Sequence, residues 1–481
     1  MILLKPEGGI IMIRINPFEN PDRYTWNALG MRLLFADAFK NLSRYVPEAK
    51  SWYVYNGKVW ALDVGDLQVQ QFAIDLVEHL ILCNKLLEVD KKRELWLDIL
   101  TNNKTGYIRK AGRDTLIKDA ASVYPVSILE FDKNPYWLNC QNCTLDLKSM
   151  TMKKHNPLHF LSKISNVNFD KDATCERWET FINEVMQDNK NKAKFLQKAF
   201  GYSLTGNTSH ECFFILHGAT TRNGKGTTCE TISSMMGNYG KTVQPETLAQ
   251  KQNASSSGPS EDIARLKGAR FVNMSEPDKG LRLSSGLVKQ LTGGDTVTAR
   301  FLHQNSFEYR PEYKVFINCN YKPKINDDTI FASGRVHLIE FNRHFKKNEQ
   351  DKGLKAFFRQ PENLSGILNW CIQGLKALQA EGLQPPDVVE QATKEYREES
   401  NPIGQFINDN LQKSDGFNTS LKDVYENYKK WCEDQGLKPF GVRNFANELR
   451  KAGIEVCKAT DNKTFLIGFS ERSNEENPFG Y

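Results

Sequence analysis

"GATTRNGKGTT", residues 218–228, lies between an apolar run and a stretch of helical character, and its reading decides what kind of sheet the chain builds. A phosphate-cradling loop has the form G-x-x-x-x-G-K followed at once by Ser or Thr. Its glycines let backbone N–H groups close on phosphate, and the lysine and hydroxyl complete the site. Here five residues separate Gly218 from Gly224, so Ala219 stands where the first glycine is expected, and Lys225 is followed by Gly226. The flanks support the loop nonetheless. Cys212 to Leu216 has the composition of a buried strand, and "TTCETISSMMG" (227–237) continues as a helix. Strand, glycine loop and helix together aim N–H groups and a positive helix end at an anion. Gly218, Asn223, Gly224, Lys225, Gly226, Thr227 and Thr228 are therefore the candidate nucleotide contacts. Thr227, or a water, is expected to serve magnesium in place of the hydroxyl that Gly226 lacks.

Around this loop, "CFFILHG" (212–218), "RFVNMSE" (270–276), "KVFINCN" (314–320) and "RVHLIEF" (335–341) are short, β-branched or aromatic, and show little alternation. Such runs suit strands covered on both faces, as in a mostly parallel α/β sheet. Their ends carry chemistry in a telling order. Glu276 ends the second run, where a carboxylate can hold a metal and polarise water. Asn320 ends the third, where a neutral donor can orient that water, and Arg335 opens the fourth, where a cation can neutralise transition-state charge from the same chain or a neighbour.

The remaining segments flank this core. "TWNALGMRLLFADAFKNLSRYV" (25–46) has amphipathic helical spacing, and "SWYVYNGKVWAL" (51–62) is a hairpin signal around Asn56-Gly57. Another β-rich stretch runs from Tyr136 to His155, and 174–205 reads as helical. A helix over 364–380 stops before Gly382 and Pro385-Pro386. Near the end come a helix (421–436), a turn, a second helix (442–453) and two β-like runs around Asp461-Asn462. That is the layout of a winged helix, with Arg443, Asn444, Asn447 and Arg450 on the second helix and Lys463 on the wing as expected duplex contacts.

Composition sets the limits. At 481 residues, with 40% apolar and 25% charged side chains, the chain is expected to be a soluble protein of roughly three or four domains. A net charge of +6 permits a nucleic-acid partner only where the charge is gathered on one surface. Among ten cysteines the one close pair, Cys140 and Cys143, has no matching second pair, so the cysteines read as buried thiols of a reducing compartment. The best apolar stretch, "LVEHLILCNKLL" (76–87), is broken by Glu78, His79 and Lys85. With no secretory signal at the start, a cytoplasmic protein without a membrane partner is expected.

Taken together, the loop with "NGKG", the strand ending "SE", "KQLTGGDTVTAR" (289–300) and "FINCNYKP…GRVHLIEF" resemble the superfamily 3 DNA helicases of the phage, plasmid and poxvirus helicase-primase type. "RYVPEAKSWYVYNGKVW" (44–60) and "GYSLTG" (201–206) are similar to segments ahead of that family's ATPase core, and "GILNWCIQGLKAL" (366–378) and "EYREESNPIGQFIND" (395–409) to segments after it. The resemblance implies a multidomain α/β chain. It comprises an α+β amino-terminal domain (1–165), a helical oligomerisation collar (166–205), an AAA+ P-loop ATPase core (206–345), a helical lid (346–410) and a winged-helix DNA-binding module with a mobile tail (411–481). It further implies ATP and Mg2+ as cofactors, held by Lys225 and Thr227 with Glu276 in the Walker B role. Asn320 would be the polar sensor and Arg335 an arginine finger reaching a neighbouring subunit. Arg300 and a channel hairpin tipped by His303, Gln304 and Asn305 would meet DNA, although the lysine common near that tip is missing.

For activity, the resemblance implies a ring-forming, usually hexameric, ATP-dependent replicative helicase that moves on single-stranded and forked DNA. No primase domain of its own is expected; a separate primase or origin-binding protein would be its partner. The expected setting is a bacterial host cell carrying a phage or mobile element. The alternatives are a DNA-bound initiator or remodelling ATPase that separates no strands, and a scaffold whose nucleotide loop has decayed.

Overall fold

The computed structural model describes residues 15–25, 27–85, 87, 89–250, 261–275, 277–300, 306–459 and 463–472. Its amino-terminal part packs α1 (Ala28–Phe39), α2 (Leu67–Lys85), α3 (Lys91–Thr101) and α4 (Lys110–Ala120) beside a small antiparallel sheet of β1 (Ser43–Val46), β2 (Ser51–Tyr55) and β3 (Trp60–Leu62). Asn56 and Gly57 make the β2–β3 turn, with the Asn56 side-chain oxygen accepting from the backbone N–H groups of Lys58 and Val59. Aromatic side chains fill the core between helices and sheet, with Phe39 stacked on Phe72 at 4.9 Å and Trp52 edge-on to Phe35.

A second antiparallel meander, β4 (Trp137–Asn139), β5 (Thr144–Asp146) and β6 (Thr151–Lys153), occupies the β-rich stretch expected there. The helical segment that follows is two helices, α5 (Glu176–Val185) and α6 (Lys190–Tyr202). Gln187 and Asp188 both turn to positive φ, and Asn189 caps the new helix by accepting from the Lys192 N–H.

The central sheet holds β7 (Phe213–His217), β8 (Gly240–Val243), β9 (Phe271–Ser275), β12 (Lys314–Cys319) and β13 (Val336–Glu340) in the order β13-β7-β12-β9-β8, every pair parallel. Between them run α7 (Lys225–Met236), α8 (Glu261–Ala264), α9 (Ser285–Thr292), the hairpin β10 (Val297–Ala299) and β11 (Phe307–Tyr309), and α10 (Asp328–Ala332). Both faces are covered, which is why these strands read as unbroken apolar runs. Phe214, Leu216 and Phe316 join one cluster with residues of α6 and α12 (Pro361–Glu381). Phe213, Ile215, Val315 and Ile317 face another with Val288 and Leu291 of α9. The edge strand β8 had no signal in the sequence, being four residues long with Lys241 and Thr242 at its centre.

Two cations lie fully inside the molecule at the amino-terminal ends of β9 and β12. Arg270 donates to the carbonyls of Leu204 (2.7 Å) and Trp137 (2.8 Å) and lies over the Tyr239 ring. Lys314 donates to the carbonyls of Thr205, Asn207 (3.0 Å) and Glu312 (3.1 Å) and lies over Tyr202. They join the meander, the end of α6 and the sheet.

After α11 (Leu354–Phe358), α12 and α13 (Asp387–Glu399) comes a terminal module. It consists of α14 (Pro402–Asn410), β14 (Leu411–Ser420), α15 (Leu421–Asp434), α16 (Val442–Lys451), β15 (Val456–Lys458) and β16 (Thr464–Glu471). Its sheet is antiparallel in the order β14-β16-β15 and closes over a core of Phe406, Tyr428, Phe445 and Leu449. The turn at Asp461-Asn462 and the tail from 473 lie outside the described residues.

Candidate functional site: a phosphate-type loop at the carboxyl ends of the parallel strands

β7 delivers the chain to the carboxyl edge of the sheet, and α7 leaves it. Between them Arg222 has φ 56° and Gly224 φ 86°, while Asn223 and Lys225 stay negative. Alternating handedness turns successive N–H groups toward one hollow, a natural anion cradle, and the amino-terminal end of α7 adds to it. Arg222 takes up the left-handed region without being glycine, a strain of the kind that concentrates at working sites.

The unusual spacing resolves in space. A Cβ on Gly218 would lie 2.3 Å from the Asn223 side-chain nitrogen and 2.9 Å from Lys225 Nζ, so only glycine fits at the start of this loop, which is one residue longer than the common phosphate-cradling form. A Cβ on Gly224 would strike Val185 Cγ1 at 2.4 Å. Gly226 is different, because a Cβ there meets nothing nearer than Glu230 Oε1 at 3.9 Å.

Asn223 braces the loop from within. Its side-chain nitrogen donates to the Thr220 carbonyl, and its oxygen accepts from the Lys225 N–H at 3.4 Å. Lys225 is 4% exposed. Its Nζ donates to the Gly218 carbonyl at 3.0 Å and to Asn320 Oδ1 at 2.9 Å. Asn320 reaches it because β12 runs beside β7 in parallel, with Cys319 opposite His217. The Thr228 hydroxyl is spent on its own helix, donating to the Gly224 carbonyl at 3.0 Å, whereas Thr227 is half-buried next to it. Burial pushes the thiols of Cys229 and Cys319 up to about 12, so neither supplies a thiolate beside the loop.

A second wall had no motif to announce it. The segment after β13 lies along the loop: His344 Nδ1 is 2.8 Å from the Thr221 carbonyl, and the Phe345 N–H donates to the Arg222 carbonyl at 2.8 Å. The sequence signal was "FNRHF" (341–345), whose basic residues directly follow a strand of the sheet.

The other expected residues fall as follows. Glu276 lies outside the described residues, directly after β9. Arg335 sits at the opposite end of the strands, bound to the Glu211 carboxylate at 2.5 Å and to the Thr292 hydroxyl at 3.1 Å. β7 interposes five residues between the two ends, about 17 Å at roughly 3.3 Å per residue, so Arg335 does not meet this chain's own loop. Arg300 ends the β10 side of the hairpin, and His303, Gln304 and Asn305 lie outside the described residues. On α16, Arg443, Asn444, Asn447 and Arg450 are all exposed. Arg450 is partly engaged, donating to Asn447 Oδ1 (3.0 Å) and the Val456 carbonyl (3.3 Å). Lys463 is exposed at the start of β16.

Comparison with known proteins adds the family. Residues 32–187 match the family described as "D5 N terminal like", 398–474 the "Poxvirus D5 protein-like" family, and 216–335 a family of unknown function. The chain is 26% identical over 371 residues to "Putative helicase L207/L206" of Acanthamoeba polyphaga mimivirus, an alignment covering 72% of this chain and 38% of that protein. It is 27% identical over 272 residues to "Putative helicase 022R" of Frog virus 3, covering 52% and 27%. It is 22% identical over 320 residues to "Primase D5" of Fowlpox virus, covering 63% and 37%. The chain thus spans well under half the length of these relatives. Among solved structures, the apo NrS-1 C-terminal region superimposes with a TM-score of 0.51 at 9% identity, over 89% of this chain and 96% of that one, which is a likeness of fold. These relatives come from viruses of eukaryotes and lend no support to a bacterial or phage setting. No helix among the described residues is long and apolar enough to cross a membrane. Its amino-terminal and carboxy-terminal segments thus match D5-type domains and its viral relatives are named as putative helicases, which together support a D5-type helicase-primase family.

Proposed function

We propose that this chain is an ATP-hydrolysing DNA helicase of superfamily 3, working as a hexameric ring with an AAA+ P-loop core. The observation that carries the reading is the buried Lys225, held between the Gly218 carbonyl and Asn320 Oδ1 above a cradle of alternating backbone handedness. A cation and N–H groups fixed in place before substrate arrives stabilise charge that develops on a transferring phosphoryl group, without reorganising during the reaction.

The residues present fit a nucleotide with its metal. Gly218 and Gly224 let the loop close around Lys225 and against α5, Lys225 and the first N–H groups of α7 would receive phosphate, and Thr227 with Glu276 would hold Mg2+. When bound, the metal neutralises phosphate charge. Asn320, freed from Lys225 as nucleotide enters, orients the attacking water. Arg335, too far from its own loop, reaches the loop of the next subunit. The β10–β11 hairpin with Arg300, His303, Gln304 and Asn305 contacts the single strand in the ring channel. The terminal module acts as a winged helix, with α16 and Lys463 toward duplex DNA. A separate primase or origin-binding protein would work alongside the ring.

ATP turnover with and without single-stranded DNA tests the reading. The native chain should hydrolyse ATP faster with DNA present, and Lys225→Ala should lose roughly a hundredfold or more of that rate, as removal of a preorganised charge-stabilising donor does. Equal turnover in the two proteins would remove Lys225 from the reaction and the proposal with it.

A further inference from the structure

Away from the Lys225 loop, the amino-terminal domain gathers cations that pair with no carboxylate among the described residues. Arg32 on α1 and Lys40, which caps its carboxy-terminal end, lie eight residues apart with Ala36 between them, a span of about 12 Å at 1.5 Å per residue. Arg44, on β1, lays its guanidinium over the Tyr124 ring at 5.5 Å. Lys40, Ser43 and Tyr124 line one small cleft beside Ala36 and Trp52.

The neighbouring carboxylate of Asp37 is already engaged. Asp37 takes an ion pair from Arg23 at 2.7 Å and hydrogen bonds from the hydroxyls of Tyr24 (3.0 Å) and Tyr124 (2.8 Å). Arg32, Lys40 and Arg44 form no ion pair among the described residues. Arg32 reaches only the Ser122 hydroxyl, at 3.5 Å. The Nε–H groups of Arg32 and Arg44 are both buried with no acceptor. Burying both Nε–H groups holds the two guanidinium groups in place with no acidic partner among the described residues, and charge-assisted bonds from their outer nitrogens to phosphate oxygens would supply one.

We propose that Arg32, Lys40 and Arg44, gathered around Tyr124, bind the phosphate backbone of a nucleic-acid strand on the amino-terminal domain. The backbone spacing of Arg32 and Lys40, about 12 Å, spans roughly two phosphate intervals of a single strand, so the row can follow a strand's backbone. An aromatic ring among the cations is the usual companion of such a track. The site is separate from the nucleotide loop, so its failure would leave the proposed hydrolysis untouched, and the reverse also holds.

The test titrates the full chain, without nucleotide, against a fluorescent oligothymidylate of about 20 nucleotides over a series of salt concentrations. Each single-strand phosphate contact contributes about 0.7 to the slope of log affinity against log salt. A variant carrying Arg32→Gln, Lys40→Gln and Arg44→Gln should therefore lower the slope by about 2 and the affinity near 0.1 M salt by about a hundredfold. Lys40 is exposed, so Lys40→Glu alone leaves packing intact and should weaken binding about tenfold. Unchanged affinity and slope in both proteins would overturn the proposal. So would stabilisation of the native chain by inorganic phosphate that the triple variant loses while its oligonucleotide binding stays intact, since that marks a free-anion site.

Discussion

Gly224 and Gly226 stand two residues apart in the loop and place opposite demands on a side chain. A methyl on Gly224 meets Val185 at 2.4 Å and leaves the residue at φ 86°, so Gly224→Ala should unseat the loop from α5. The cost should be on the order of 2 kcal/mol of stability, together with loss of nucleotide binding. Gly226 has open space, and Gly226→Ser restores the hydroxyl that the common motif supplies. That variant should fold normally and reach half-maximal ATPase rate at a lower magnesium concentration than the native chain. Melting temperature and a magnesium titration of turnover check both. A well-folded Gly224→Ala protein with native nucleotide affinity would contradict the geometry.

At the scale of single elements, β13 places a buried histidine inside the sheet. His337 lies edge-on to Phe195 at 5.3 Å and stacks against Phe214 at 5.6 Å, and burial lowers it from 6.5 to about 4. The unfolded chain takes up that proton near pH 6.5, whereas the folded chain resists it until about pH 4. Stability from this group is therefore complete above pH 6.5 and declines as pH falls through that window, by roughly 3 kcal/mol in all. His337→Phe should flatten that part of the stability–pH curve, as read by denaturant unfolding at pH 7.5 and pH 4.5. An equally steep decline in the variant would assign the loss to other groups.

The same elements show what could be read in advance. Strands buried on both faces were legible because a parallel sheet leaves no polar side, and the tight turn between strand and helix was legible from Asn223-Gly224-Lys225. The edge strand β8 was not, because four residues with a polar middle carry no periodicity. The burial of Arg270 and Lys314 has no sequence signal, because tertiary packing brings carbonyls of distant segments to both. The His344 wall left only the basic residues after β13 as a hint, since its partner Thr221 is 123 residues away.

For the whole molecule, the decisive fact is that Arg335 and Lys225 occupy opposite ends of the same parallel strands. A neighbour's loop must receive Arg335 if it serves hydrolysis. An Arg335→Ala protein and a Lys225→Ala protein, each inactive alone, should regain part of the native ATPase rate when mixed, because some subunit boundaries then pair an intact loop with an intact arginine. Mixtures without any recovery would return Arg335 to a structural role beside Glu211.

Unwinding is the step that separates a helicase from an ATPase that only remodels bound DNA. The most direct measurement is ATP-dependent release of a labelled strand from a forked duplex by the full chain, set beside Lys225→Ala. The proposed function predicts strand release by the native chain with ATP and magnesium, and none by the variant. ATP turnover on the fork with no strand released would contradict it.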